Sequence, residues 1–109
     1  AHVNNPLGGM GMNGGIHDAI NLAEKLTAVW HGSPLDTMGR YERQRRKVAI
    51  ETVQAQALKN RAILNASDPT QRLAYYDELK ETVADENKHK DYVMRSSMIT
   101  SLRELEKVD

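Results

Sequence analysis

The residues best suited to chemistry stand near the start of the chain. "NPLGGMGMNGG", residues 5–15, holds five of the seven glycines. Gly9, Gly11 and Gly14 spell G-x-G-x-x-G, the letters of a dinucleotide fingerprint. That motif works only with a buried strand before it, a helix after it and an acid at the end of a second strand. Here the preceding residues are short and polar and include Pro6, and Asp36 follows a helix and Pro34. No Lys-Ser/Thr follows the glycines, which removes a phosphate-binding P-loop. A more general chemistry survives. Glycines let backbone amides approach a ligand, and a helix N-terminus adds unpaired N–H groups and partial positive charge. Such a site favours an anion or an electron-rich edge. The competing reading is a flexible N-terminal tail.

The other candidates are weaker. His2, His17, His31 and His89 include no pair at the i,i+4 spacing of a helical metal site. His17–Asp18 resembles the His-Asp pair of metal-dependent phosphohydrolases but has no companion ligands, so it reads as helix surface. "RYERQRRK", residues 40–47, is basic, yet only Tyr41 is aromatic and Glu42 dilutes the charge. A solvated or internally ion-paired helix face is favoured over a nucleic-acid patch. The nucleic-acid alternative requires salt-sensitive binding through Arg43, Arg45, Arg46 and Lys47. Met94 and Met98 read as core filler. Fifteen basic and fifteen acidic residues cancel, and there is no cysteine. These balances give no field for nucleic acid and no thiolate metal site. No apolar run approaches a membrane span, so a soluble, cytoplasmic chain is expected.

Helices must position these groups. From Arg40 onward there is no glycine and Pro69 is the single proline, in a stretch rich in helix formers. A first helix is predicted to start between Asn13 and Ile16. Its apolar stripe is Ile16, Ala19, Ile20, Ala23, Leu26, Ala28 and Trp30, and Asp18, Glu24 and Lys25 mark its wetter face. "HGSP", residues 31–34, ends it. A second helix, capped by Ser33 or Asp36, is predicted to run to about Leu64. In "NASDPTQRL", Asp68 caps a third helix, Pro69 takes its first position and Gln71 completes a capping box. Leu73, Tyr76, Leu79 and Val83 give its stripe. "DENKHK", residues 85–90, is either a break or a wet turn. Met94, Met98, Leu102 and Leu105 give a last stripe, and no alternating run supports a strand.

The expected fold is therefore all-α: three or four helices after a glycine-rich N-terminal loop, as a bundle or an extended array. Phe is absent and Trp occurs once, so the core is short for an independent domain. Self-association through the exposed stripes, giving a homo-oligomer, is expected to complete it.

"AHVNNPLGGMGMNGGIHDAINLAEKL" closely resembles one segment of the FAD-dependent monooxygenases of the aromatic hydroxylase type. That segment reads Gly-Asp-Ala-Ala-His-x-x-Pro-Pro-x-x-Gly-x-Gly-x-Asn-x-Gly-x-x-Asp-Ala-x-Asn-Leu-x-x-Lys-Leu. Ala1, His2, Pro6, Gly9, Gly11, Asn13, Gly15, Asp18, Ala19, Asn21, Leu22, Lys25 and Leu26 fall on it in register. "YERQRRKVA" resembles the family's next helix, and residues from about 55 onward match only as a generic helical tail.

The resemblance implies roles. The loop, residues 1–15, would be the remnant of a flavin cradle, and residues 16–109 a C-terminal helical region. The backbone amides of Met12 and Asn13 would face the flavin O2, and Gly9 and Gly11 would allow close approach. Pro6 would lie on the substrate side of the ring. Residues 18–26 would form a supporting helix, and Glu42 and Arg45 would be structural, holding the next helix. The parent would use FAD, NAD(P)H and O2 to hydroxylate a small aromatic substrate. The family's Gly-Asp pair should stand just before Ala1, so the chain is expected to be a C-terminal fragment, inactive and without bound FAD. Asn5 replaces the first of two prolines, and Lys47 replaces another, which lets the second helix run on.

Overall fold

The computed structural model describes residues 4–109. Ala1 and His2, which carry part of the resemblance, lie outside the described residues. The described chain is all-α. Its elements are α1 (Met10–Trp30), α2 (Thr37–Val48), a π-helical turn (Ala49–Gln54), α3 (Ala55–Asn65), α4 (Pro69–Ala84), α5 (Glu86–Ser96) and α6 (Ile99–Glu106). Val48, Ala49, Gln54 and Ala55 keep right-handed helical dihedrals, so α2, the π turn and α3 form one continuous rod. Lys47 thus sits inside a helix that runs on to Asn65.

The array is extended. Its principal extents are 57 × 29 × 18 Å and its radius of gyration is 17.1 Å. A compact domain of this length would have a radius of about 13 Å. The central cluster is small: Met10, Val48, Val53, Met98 and Leu105.

Local chemistry explains the helix ends. Gly32, at φ 101°, closes α1 with its N–H on the Val29 carbonyl, while the Ser33 N–H reaches the Ala28 carbonyl. This is the Schellman pattern, and it needs glycine because only glycine takes that dihedral without strain. Asp68 accepts from the Thr70 N–H and Pro69 opens α4. Asp85 is extended and accepts from the Asn87 and Lys88 N–H groups, so residues 85–90 contain a true break that starts α5.

Three expectations are corrected. First, α1 starts at Met10 rather than between Asn13 and Ile16. Each helical glycine costs about 1 kcal/mol relative to alanine. Burial of Met10 and a bond from Arg45 Nη2 to the Gly14 carbonyl (3.3 Å) oppose that cost. Residues 10–15 are therefore helix, not loop. Second, α1 packs by its polar face. Asn21 is buried and Asp18 and Lys25 are half-buried, whereas Ile16, Ile20, Leu26 and Trp30 are exposed. α1 packs on α2, whose buried residues Gln44 and Arg45 select polar partners. Third, the last stripe is split. Met98 adopts a left-handed φ of 64° and starts α6, so Met94 and Leu105 lie on different helices. A left-handed non-glycine residue costs about 1–2 kcal/mol, offset here by burying Met98 to 2 % exposure.

Candidate functional site

The glycine-rich stretch begins as a turn. Asn5 Oδ1 accepts from the Leu7 N–H at 3.0 Å, and the Gly9 N–H donates to the Pro6 carbonyl at 3.3 Å. Gly8 has φ 103°, and a Cβ there would lie 2.7 Å from Asn60 Nδ2 of α3. The dihedral requires glycine at this position, and a Cβ would also force the Asn60 amide to move. Pro6 is exposed in this turn.

Gly9, at φ 65°, then turns the chain into α1 with no side-chain cap and no acid in the first turn. In a helix starting at Met10, the N–H groups of Met10, Gly11 and Met12 have no intrahelical acceptor. The Asn13 N–H is the first to close onto the Gly9 carbonyl, where Asn13 Nδ2 also donates at 3.5 Å. Gly11, Met12 and Asn13 are exposed, and a Cβ at Gly9 or Gly11 would meet nothing within 4 Å. Gly9, Gly11, Met12 and Asn13 therefore share one open, uncapped turn at the positive pole of a 21-residue helix. An acceptor can approach there: no side chain crowds Gly9 or Gly11, and the first N–H groups lack an intrahelical partner.

A polar network fixes this pole from behind. Arg45 Nε donates to Asp18 Oδ1, and Arg45 is 2 % exposed. Asn21 Nδ2 donates to Gln44 Oε1 at 3.2 Å. Gln44 Nε2 in turn donates to the carbonyls of Leu105 (3.1 Å) and Val108 (2.9 Å). Arg40 Nε reaches the Val108 carbonyl and Arg43 Nε that of Asp109. Of the basic cluster, Arg45 is ion-paired inside the molecule, Arg40 and Arg43 bond to backbone carbonyls of the last residues, and Glu42 is exposed. Gln44 and Asn21 were missed as packing residues. Asp18, Asn21 and Lys25, at spacings of three and four, were the signal for a second, polar packing stripe.

Among the described residues, no three His, Asp or Glu side chains could hold a metal ion. No helix there is long and apolar enough to cross a membrane.

The family model for the FAD binding domain matches residues 1–56, which contain the turn, all of α1 and the ties to α2. The chain belongs to this FAD-binding family, whose cofactor is FAD, and its resemblance is to flavoprotein monooxygenases of the aromatic hydroxylase type. Para-nitrophenol 4-monooxygenase of Pseudomonas sp. (strain WBC-3) is 35 % identical over 98 % of this chain and 27 % of its own length. Rifampicin monooxygenase of Rhodococcus hoagii is 35 % identical over 74 % of this chain and 17 % of its own length. Tetracenomycin B2 monooxygenase-dioxygenase of Streptomyces olivaceus is 48 % identical over 47 % of this chain and 10 % of its own length. The chain spans about a quarter or less of the length of these curated relatives. No solved structure matches it.

Proposed function

We propose that the chain supplies the pyrimidine-edge half of the flavin cradle in an FAD-dependent monooxygenase that hydroxylates a small aromatic substrate with NAD(P)H and O2. The open, uncapped first turn of α1 carries this reading. Bound FAD supplies reduction by NAD(P)H and activation of O2. The chain's residues bind and orient. The free Met12 N–H and the helix dipole stabilise negative charge at the ring edge. Gly9 and Gly11 leave room for the ring, and Pro6 borders its substrate side. The Asn13 amide joins when the first turn opens at Gly9, a step eased by the helix-weakening Gly11, Gly14 and Gly15.

The exposed apolar face of α1 packs, in this reading, against the remainder of the flavin domain. The isolated chain is then inactive, because most of the cofactor's contacts lie elsewhere. The test is Met12→Pro in the longer protein that carries these residues. Proline is tolerated in a first helical turn and removes one donor. Turnover should fall by about 10²-fold, the usual effect of losing one such donor. Unchanged turnover and FAD affinity would sink the assignment. A flavin spectrum retained by the isolated chain through gel filtration would contradict its expected inactivity.

A further inference from the structure

α4 has two unlike faces. Tyr75, Leu79 and Thr82 are half-buried beside Ile63 of α3 and Tyr92 of α5. The opposite face exposes Leu73, Tyr76, Val83 and Ala84, with Asp77 and Lys80 between them, around one open groove. Lys80 Nζ lies 3.4 Å from Asp77 Oδ1. The face lies outside residues 1–56, which the flavin family model matches.

The order along this face is apolar, acidic, basic, apolar, at the three- and four-residue spacings of a helix–helix seam. Turned end for end about a point between Glu78 and Leu79, it complements itself. Asp77 of one copy then meets Lys80 of the other, and Lys80 meets Asp77. Leu73 meets Ala84, Tyr76 meets Glu81 and Arg72 meets Asp85. A parallel pairing would instead set Asp77 on Asp77.

We propose that α4 is the seam of an antiparallel two-fold homodimer, closed at its centre by a four-charge cluster of two Asp77 and two Lys80 side chains. A four-turn helix presents about 24 Å of seam, which places the contact in the small, concentration-dependent class of interfaces.

Sedimentation velocity of the full chain tests this, run from about 1 μM to about 300 μM, the range where so small an interface dissociates. The wild-type chain should pass from monomer to dimer. Asp77→Lys alone and Lys80→Asp alone should each weaken association at least about tenfold through like-charge contacts. An equimolar mixture of the two variants should dimerise again, because each supplies what the other lacks across the two-fold axis. The charge pair within each helix stays broken in that mixture, so a merely local role of the pair would not restore it. Circular dichroism of each variant checks that the helices persist. A wild-type chain that is monomeric throughout, its α4 face then belonging to another segment of a longer protein, would overturn the proposal. So would single variants that dimerise as wild type does, or a mixture that stays monomeric.

Discussion

Arg45 of α2 reaches Asp18 of α1 through Nε and the Gly14 carbonyl through Nη2, while almost completely buried. One guanidinium therefore fixes both the middle of α1 and its glycine-rich start. The glycine-rich start of α1 is therefore positioned by α2 as much as by its own residues.

Replacing Arg45 removes the charge-assisted hydrogen bonds it makes to Asp18 and to the Gly14 carbonyl, each worth about 1.5–3 kcal/mol. Arg45→Leu should destabilise the chain by that order in chemical denaturation. Arg45→Lys should not rescue it, because an ammonium cannot reproduce the fork that spans Asp18 and Gly14.

The exposed apolar face of α1 carries its own reporter. Trp30 is the one tryptophan of the sequence and is 86 % exposed. In the isolated chain its fluorescence should be red-shifted and readily quenched by iodide. In the longer protein the emission should shift to the blue and quenching should fall, if the rest of the flavin domain covers this face. Equal quenching in both would remove that packing.

Much of this architecture was legible. The punctuating residues were read correctly because their chemistry is local: Gly32 with its positive φ, and Asp68 and Pro69 opening α4. The Asp85 break was left open because one residue's extended backbone is not encoded by periodicity. The facing of α1 is not legible in the sequence, because apolar content ordinarily marks the packed side and here the polar side packs. Gln44 and Arg45 offer polar partners to α1, and its apolar side is exposed. The π turn at Ala49–Gln54 had no sequence signal of its own. The glycine-rich turn was legible through the glycines and the family register. The helix start at Met10 was not, since it depends on burying Met10 against residues far along the chain.

α6 carries a carboxyl whose titration is shifted by a neighbour. Lys107 Nζ lies 2.6 Å from Glu104 Oε1, and this hydrogen bond and the lysine's charge hold the Glu104 carboxyl below its ordinary value. A depressed folded-state value means the contribution is present above the unfolded carboxylate value. It is lost as the pH falls through the folded one. The pair is exposed, so salt should weaken it. Nuclear magnetic resonance titration should show Glu104 protonating at lower pH than a free glutamate, and Lys107→Met should return it toward the ordinary value.

Gly11 tests the central claim most directly. It is helical, and a Cβ there meets nothing within 4 Å. Within the isolated fold, alanine should therefore be an improvement, by about 0.5–1 kcal/mol. In the proposed cradle, this glycine leaves room for the flavin ring. The measurement is the melting temperature of the isolated Gly11→Ala chain together with the FAD dissociation constant of the longer protein carrying the same change. The account predicts a chain that melts higher and a flavin site weakened about tenfold, equivalent to 1.4 kcal/mol. A chain that melts higher while FAD binds as before would contradict it.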